Sequence, residues 1–276
     1  MPQVSVIVAV KNGRATLQRC LDSVAAQDIG SKEVIVIDSV STDGTRELLE
    51  RNVGARKVDR YLSEPDRGVY DAWNKGLALS TGEWICFLGC DDAFHDSSAL
   101  RHLAAAGARG SGARLVYGRV NRLTPSGVVV ETIGRDWERA RADFLAGVNI
   151  PHPGALHHRS LFEERGKFDA GYRIAGDYEL LLRELPQRPP LFVDRIVVDM
   201  SLGGISSRPD SIRKALLEIA QARAANGLGT APLRLRLASA WGWAIGLVHR
   251  TLGDRGFRLL ADGYRIARGK PRIWTV

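Results

Sequence analysis

The sequence predicts an α/β fold with a mostly parallel central sheet flanked by helices, followed by a C-terminal helical extension. Three patterns in the first half predict it: apolar strands, amphipathic helices, and a polar loop after each strand. Strands that alternate with helices form parallel, doubly wound sheets, which bind their ligands at the carboxyl ends of the strands. We therefore expect the functional residues at those strand ends.

The first half of the chain contains repeated strand and helix units. The strands buried on both faces are predicted at residues 4–10, 33–37 and 84–88. Apolar residues recur at three- and four-residue steps in the predicted helices, which begin near residue 15 and cover 45–51 and 68–80. A third strand is expected before Asp66, so four strand ends lie in this half.

The second half of the chain has a more mixed pattern. A helix is expected near 97–105, and short strands at 115–117 and 128–132 flank a Pro-Ser-Gly turn. A helix over 176–184, with Glu179 expected on its surface, precedes a proline-rich break and a strand over 191–198. From Asp210 the pattern is helical almost to the end, with interruptions at 226–232 and near Gly253.

Composition limits the class of protein. The 276 residues are 45% hydrophobic and 25% charged, which excludes wholesale disorder and a polytopic membrane protein. No segment reaches the ~20 apolar residues that span a bilayer, and the apolar run at 4–10 is too short for a signal peptide. The three cysteines form no C-x-x-C pair, so we expect reduced thiols in a cytoplasmic protein.

Carboxylates follow three of the predicted strands. Asp38 follows the second strand, Asp66 the third, and Asp91 and Asp92 the fourth. Carboxylates that meet at one sheet edge repel each other unless a cation or a donor partners them. The alternative is that each aspartate only caps a helix or lies in a solvated loop.

The adjacent Asp91 and Asp92 are the most specific of these features. Carboxylate oxygens on a short loop suit Mg²⁺ or Mn²⁺, and a diphosphate supplies further oxygen ligands. Such a cation would neutralise the charge that grows on a departing diphosphate. The alternative is an N-cap for the helix near 97–105, and spacing alone does not decide between the two.

Four segments of the first half resemble the family-2 glycosyltransferases. They read VSVIV at 4–8, DSVSTDGT at 38–45, DRGVYDAWNKG at 66–76 and FLGCDD at 87–92. Further on, PHP at 151–153, FD at 168–169 and IAGDYELLLR at 174–183 resemble the acceptor half of that family. The resemblance covers about 3–207. We therefore expect a catalytic domain over 1–207, with a nucleotide-sugar half over 1–113 and an acceptor half over 114–207, and a basic helical tail over 208–276.

The resemblance implies a GT-A (Rossmann-like) fold and an inverting transfer of a sugar from a nucleoside-diphosphate donor. Ala9 and Asp38 match the positions that hold the nucleobase and the ribose. Asp91 matches the position beside the ribose and Asp92 that of the metal ligand, so Mg²⁺ or Mn²⁺ is the implied cofactor.

Three further positions on the donor side and two on the acceptor side follow from the same resemblance. Asp66 and Arg67 match the turn that closes over the nucleotide, and Asn74 lies on the helix that faces the donor edge. Asp177 matches the catalytic base, a carboxylate that removes the proton of the acceptor hydroxyl. His152 is a candidate contact to the diphosphate or acceptor; the alternative is a packed histidine.

Two positions depart from the family pattern, and one loop has two interpretations. Lys11 stands where an aromatic or polar residue is usual, and Pro153 follows His152 where an amide often stands. The glycine-containing loop at 203–207 resembles a segment that folds over the donor; a plain turn before the tail is the alternative.

The tail carries the basic character of the chain. Residues 208–276 hold 13 basic and four acidic residues, against 26 and 27 before them. Its uncharged run at 237–248 contains Trp241 and Trp243 and has flanking arginines, a pattern that suits a helix on an anionic membrane surface. The alternatives are packing on the catalytic domain or a homo-oligomer. Nucleic acid is not expected, because no reading motif accompanies the charge.

The expected function is synthesis of a bacterial cell-surface polysaccharide or lipid-linked saccharide, at the inner face of the cell membrane. A nucleotidyltransferase would need a glycine-rich phosphate loop after the first strand, and an oxidoreductase would need G-x-G-x-x-G there. The sequence has Lys11 to Arg14 at that place, with a single glycine. A non-catalytic nucleotide-sugar-binding module stays open, as do the nucleotide, the sugar and the acceptor.

Overall fold

A computed structural model of the chain describes residues 3–110, 112–124, 126–202 and 209–229, together with scattered residues from 232 to 272. The strands are β1 Val4–Val10, β2 Lys32–Asp38, β3 Arg60–Ser63, β4 Trp84–Gly89, β5 Ala93–Phe94, β6 Leu115–Leu123, β7 Val129–Ile133, β8 Leu156–His158 and β9 Leu191–Ser201. The helices are α1 Leu17–Ala25, α2 Thr45–Gly54, α3 Val69–Leu79, α4 Ala99–Arg109, α5 Trp137–Leu145, α6 Arg159–Arg165, α7 Gly176–Glu184 and α8 Pro209–Ala225.

All the strands form one sheet in the order β3-β2-β1-β4-β8-β6-β9-β5, with β7 paired to β6. The pairs among β1, β2, β3 and β4 are parallel, as is the pair β6 and β9. The antiparallel β8 joins these two parallel parts. This architecture confirms the predicted mixed α/β class with a mostly parallel sheet and flanking helices.

The register aligns the carboxyl ends of β1, β2 and β4 with one another. Val10 pairs with Asp38, and Ala9 pairs with Ile37 on one side and with Gly89 on the other. The polar segments that follow these strands therefore begin beside each other at the carboxyl edge of the sheet.

The sheet is covered by apolar residues on both faces. On one face, α1 buries Leu17, Cys20, Leu21 and Val24. On the other face, α3 lies so close to the sheet that a Cβ on Gly76 would stand 2.3 Å from Cγ2 of Ile7. The absence of a side chain at Gly76 thus sets how near α3, and the residues at its N-terminus, approach β1.

The agreement with the sequence prediction is close in the first half and weaker in the second. The helix predicted over 176–184 is α7, with the same bounds. By contrast, β5, β8, α5 and α6 were not predicted, because they are short and lack a clear periodicity. The loop at 203–207 and the run at 237–248 lie outside the described residues. In the part of the chain that is described, no helix is long and apolar enough to cross a bilayer.

Candidate active site

Asp38 ends β2 and organises the loop that follows it. Its buried carboxylate accepts hydrogen bonds from the backbone N–H of Ser41 (3.2 and 3.3 Å) and from the hydroxyl of Ser63 (2.6 Å), and the hydroxyl of Ser41 also donates to it. These contacts occupy much of the acceptor capacity of the carboxylate. Asp38 therefore fixes the shape of the loop and places a carboxylate beside the end of β1.

Asp91 and Asp92 follow β4 on a loop that the end of β9 holds in place. The backbone N–H of Ser201 donates to Oδ1 of Asp92 at 3.1 Å, and the Ser201 hydroxyl donates to the carbonyl oxygen of Asp91 at 2.7 Å. The guanidinium of Arg19 donates to the same carbonyl oxygen. Because the backbone of the loop is bonded from two sides, the two carboxylates have little freedom to move apart.

The carboxylates of Asp91 and Asp92 converge on Gly89. Oδ1 of Asp91 and Oδ2 of Asp92 each lie 2.9 Å from the position that a Cβ on Gly89 would occupy. Burial first, and then the charge of Asp91, raise the pKa of Asp92 to about 8. Two carboxylates that are forced together in this way form a place where a cation would relieve both the burial and the repulsion.

Further ligands for such a cation would have to come from outside the pair. Among the residues that the structure describes, no group of three or more His, Cys, Asp and Glu side chains is arranged to hold a metal ion. A site with two protein carboxylates and open positions is the kind that Mg²⁺ occupies together with substrate phosphates. The donor set therefore fits a divalent cation that is bound together with a diphosphate.

Asp177 lies in the first turn of α7, and two neighbours hold its half-buried carboxylate. The hydroxyl of Tyr70 is 3.0 Å from Oδ1, and the side-chain amide of Asn149 donates to Oδ2 at 2.8 Å. Burial raises the pKa of Asp177, and the hydrogen bonds from Tyr70 and Asn149 act against this rise. The result is a fixed carboxylate with a stronger affinity for a proton than an ordinary aspartate has.

The position of Tyr70 depends on Gly176. A Cβ on Gly176 would lie 2.8 Å from both Cδ2 and Cε2 of the Tyr70 ring. The same ring stacks on Phe168 with a centroid separation of 5.6 Å. Packing against these two residues brings the hydroxyl of Tyr70 into reach of Asp177.

An aromatic cluster extends from Tyr70, which contacts Asp177, to β4, the strand before the loop of Asp91 and Asp92. The ring of Trp73 is 5.6 Å from Tyr70, 5.1 Å from Phe87 and 5.2 Å from His152. Phe87 belongs to β4, the strand that leads into the Asp91 loop. Packed rings therefore link Tyr70, the neighbour of Asp177, to the strand that precedes the Asp91 loop.

Three polar atoms around this cluster have no hydrogen-bond partner in the described part of the chain: Nε1 of Trp73, Nε2 of His152 and Oδ1 of Asn149. Burial lowers the pKa of His152 to about 3, so its ring is neutral at physiological pH. Buried polar atoms without a partner usually face a ligand or a bound water. Of these three residues, Asn149 also bonds to Asp177, and Trp73 packs against Tyr70.

Hydrogen bonds from backbone amides to the side chains of Asp66 and Asp71 hold the turn at Asp66 and Arg67. Oδ1 of Asp66 accepts from the backbone N–H of Gly68 at 2.8 Å, and the backbone N–H of Arg67 donates to Asp71 at 3.0 Å. The side chain of Arg67 is largely exposed. It is therefore available to a ligand at this edge.

Asn74 binds the protein with both atoms of its side-chain amide. Its Nδ2 donates to the carbonyl oxygen of Phe168 at 2.8 Å, and its Oδ1 accepts from the N–H of Phe168 at 3.1 Å. In this structure Asn74 fastens α3 to the segment before α7, so any effect on a donor would pass through Phe168.

Two grooves of the described structure lie away from these carboxylates. One of about 580 Å³ and one of about 470 Å³ share Gln3, Glu83, His158 and Ser160 as lining residues. Gln3 and Glu83 directly precede β1 and β4, so these grooves lie at the amino ends of the strands. The converging carboxylates lie at the opposite edge of the sheet, so these grooves are not part of the candidate site.

Comparison with known proteins identifies the family of the chain. The family model described as "Glycosyl transferase family 2" matches residues 5–166, more than half of the chain. The chain belongs to glycosyl transferase family 2. A PGL/p-HBAD biosynthesis glycosyltransferase of Mycobacterium bovis is 33% identical to it over 187 residues, which are 66% of this chain and 69% of that protein.

Solved structures share the fold of this glycosyltransferase. S. aureus TarS 1-349 in complex with UDP-GlcNAc matches with a TM-score of 0.64 and 20% identity, covering 93% of this chain and 75% of that one. The mannosyltransferase PcManGT of Pyrobaculum calidifontis in complex with GDP-Man and Mn²⁺ matches with a TM-score of 0.65 and 20% identity, covering 97% and 81%. A longer TarS chain is matched over 45% of its length. These likenesses confirm the predicted GT-A fold.

The structure excludes one alternative interpretation of the aspartate pair in this glycosyltransferase. The helix after the loop, α4, begins at Ala99, and its N-cap residue is Ser98. Asp96, rather than Asp91 or Asp92, bonds to the backbone N–H of Ser98, at 2.8 Å. The pair is therefore not the cap of this helix, and the role of each aspartate in donor or metal binding stays a prediction.

Several residues at the site were not predicted from the sequence. Ser201 and Asn149 donate to the carboxylates of Asp92 and Asp177, and Arg19 donates to the carbonyl oxygen of Asp91. Each bond spans more than 25 residues of chain and leaves no local pattern. Glu179 was expected on the helix surface, and this was wrong. Its side chain is buried and bonds to Arg183 at 2.8 Å.

Proposed function

We propose that this glycosyltransferase moves a sugar from a nucleoside-diphosphate donor to an acceptor hydroxyl with inversion, and that Asp177 is the base. One observation carries the proposal: Tyr70, whose hydroxyl contacts the Asp177 carboxylate, packs through Trp73 against Phe87 of the strand that leads to Asp91 and Asp92. A direct displacement needs both parts, a base for the acceptor and a site for the leaving diphosphate.

The donor would lie along the carboxyl edge of the parallel strands. Ala9 and Asp38, at adjacent strand ends, would contact the nucleobase and the ribose, and Asp66 and Arg67 would close over the nucleotide. Asp91 and Asp92 would hold Mg²⁺ or Mn²⁺, which would neutralise the departing diphosphate. Two proteins of the same fold support a nucleoside-diphosphate sugar as the donor, since one is in complex with UDP-GlcNAc and the other with GDP-Man and Mn²⁺.

Asp177 would take the proton of the acceptor hydroxyl while the acceptor oxygen attacks the anomeric carbon. Its raised pKa suits a base, since a carboxylate with more affinity for the proton drives the transfer further. His152, neutral at physiological pH, would contact the acceptor or the diphosphate by a hydrogen bond rather than by charge. The polar atoms of Trp73 and Asn149 would bind further acceptor hydroxyls.

A ligand screen followed by product analysis tests this function. The intact protein is heated with UDP-, GDP- and dTDP-sugars, with and without Mn²⁺, and we expect a metal-dependent rise in Tm with one nucleotide class. With that donor and a saccharide acceptor, NMR should show a product of inverted anomeric configuration and release of the nucleoside diphosphate. Release of pyrophosphate would instead indicate nucleotidyl transfer, and binding without turnover on any acceptor would indicate a binding module.

We also propose that the acceptor is a saccharide or lipid-linked saccharide of the bacterial envelope, met at the cytoplasmic membrane surface by the tail over 208–276. Leu259, Leu260 and Ile266 are exposed in the tail, as are Arg255 and Arg258. Apolar side chains beside cations suit an anionic lipid surface. The intact protein should float with phosphatidylglycerol vesicles, and a Leu259→Glu, Leu260→Glu variant should not. Equal flotation of both, or of neither, would overturn the membrane proposal.

A further inference from the structure

The carboxylate of Glu218, on α8, accepts hydrogen bonds from three consecutive backbone amides. The N–H of Arg173 lies 3.0 and 3.1 Å from its two oxygens, and the N–H groups of Ile174 and Ala175 donate to Oε2 at 2.8 and 2.9 Å. Glu218 is 6% exposed. A buried carboxylate with this many charge-assisted bonds is a strong and directional anchor.

These amides directly precede the helix that carries Asp177. In the described structure, Ala175 is the N-cap of α7 and supplies no side-chain hydrogen bond to the first turn. The free N–H groups before the helix need an acceptor, and a negative charge near a helix N-terminus is favourable. Glu218 meets both needs from a different helix, so α8 holds the segment that leads into α7.

The segment 173–175 also contacts both sides of the site. The carbonyl oxygen of Ile174 accepts from the Tyr70 hydroxyl at 2.6 Å, the same hydroxyl that contacts Asp177. The guanidinium of Arg173 donates to the carbonyl oxygen of Arg67 in the donor turn. A shift of this segment would therefore change the surroundings of the base and the turn together.

We propose that Glu218 is a positioning residue for sugar transfer, which sets the orientation of Asp177 by holding the segment 173–175. The inference rests on the proposed role of Asp177 as the base. Glu218 touches neither the reacting atoms nor Asp177 itself, so it acts through the backbone. Catalytic groups tolerate little misplacement, since an error of about 1 Å costs on the order of 10²-fold in rate.

The test is the Glu218→Gln variant of the full-length protein. The glutamine keeps one acceptor oxygen but places an NH₂ group opposite the N–H of Arg173, so two donors face each other. We expect kcat to fall on the order of 10- to 100-fold, with the Kd for the nucleotide-sugar donor close to that of the wild type.

Glu33→Gln is the matched control. The buried carboxylate of Glu33 likewise accepts from backbone amides, those of Thr81 at 2.5 Å and Gly82 at 3.1 Å. It lies near the amino end of β2, away from the proposed site. We expect Glu33→Gln to lower Tm and leave kcat unchanged, which separates lost stability from lost positioning.

A double-mutant cycle with Asp177→Asn distinguishes positioning from a general structural role. If Glu218 acts through Asp177, then Glu218→Gln causes no further loss of kcat in the Asp177→Asn protein, measured with radiolabelled donor. An equal fold-loss in both backgrounds, or a wild-type kcat for Glu218→Gln alone, overturns the inference. Wild-type turnover of Asp177→Asn alone overturns the proposed base instead. If Glu218→Gln does not fold, the same double-mutant cycle is measured with Glu218→Asp, whose side chain is shorter by one methylene.

Discussion

The hydroxyl oxygen of Tyr70 lies 3.0 Å from Oδ1 of Asp177, and this contact joins the donor-side helix α3 to the helix of the proposed base. The same oxygen lies 2.6 Å from the carbonyl oxygen of Ile174. A phenol has one proton, so Tyr70 donates either to the ionised carboxylate or to the carbonyl. In the second case a protonated Asp177 donates to Tyr70. Tyr70 and Asp177 can therefore remain hydrogen-bonded both when Asp177 is ionised and when it is protonated.

Removal of this hydroxyl by Tyr70→Phe should change the pH dependence of turnover. The hydrogen bond from Tyr70 lowers the pKa of Asp177, so its loss lets burial raise that pKa further. A base is inactive below its pKa, and the acid limb of the kcat profile should therefore move to higher pH. The kcat profiles of Tyr70→Phe and of the wild type, measured over pH, check this displacement.

Tyr117→Phe is the control for this experiment. The hydroxyl of the buried Tyr117 donates to the carbonyl oxygen of Arg135 at 2.7 Å, so its removal also leaves a carbonyl without this donor. We expect lower stability and an unshifted acid limb. Superimposable profiles of Tyr70→Phe and the wild type would contradict the role given to Tyr70.

The substitution Gly176→Ala should lower kcat without unfolding the protein. The new methyl group would stand 2.8 Å from two ring carbons of Tyr70, and the ring must move away from Asp177 to make room. Gly54→Ala provides the comparison, because no described atom lies within 4 Å of a Cβ there and the site is at the end of α2. Steady-state assays should show reduced kcat for Gly176→Ala only; equal rates for both variants would argue against the packing constraint.

Asp92→Asn should abolish the part of donor affinity that depends on the metal. The amide removes one of the two carboxylates that converge on Gly89, and with it the charge that holds the cation. Titration calorimetry of the donor with Mn²⁺ measures this effect. Asp96→Asn, which alters a carboxylate bonded to Ser98 instead, should bind donor normally. Undiminished Mn²⁺-dependent affinity of Asp92→Asn would remove the proposed metal site.

The buried histidines should make the fold sensitive to acid. Burial lowers the pKa of His152 from 6.5 to about 3, so below pH 6.5 the unfolded chain binds a proton that the folded protein does not. The free energy of unfolding should therefore fall as the pH decreases from about 6.5 towards 3. Urea unfolding of His152→Leu should show a smaller decrease over this range, and its curve should run parallel to that of the wild type above pH 7. Equal slopes below pH 6.5 would show that His152 is protonated in the folded state.

The predictable parts of the fold are those with local patterns. The apolar run at 4–10 is β1, and the Asp91-Asp92 pair does lie at the end of a buried strand. By contrast, β8 has only three residues, two of them histidines, and carries no periodic signal. Glu179 was misplaced because α7 is buried on several sides, which a single helix pattern does not indicate.

The support of the site could not be predicted for a related reason. Asn149 lies 28 residues from Asp177 in the sequence, and Glu218 lies at least 43 residues from the backbone amides that it binds. Each bond depends on how the elements pack. The motifs locate the residues proposed for the chemistry. The neighbours that orient those residues become visible only in three dimensions.

The central claim is that Asp177 is the base of the transfer, and the paired turnover and donor affinity of Asp177→Asn test it most directly. Asparagine keeps the shape of the side chain but has no affinity for the acceptor proton. The account predicts a fall in kcat of ~10²–10⁴-fold, the usual contribution of a positioned base, with donor affinity unchanged. Turnover close to that of the wild type would contradict it.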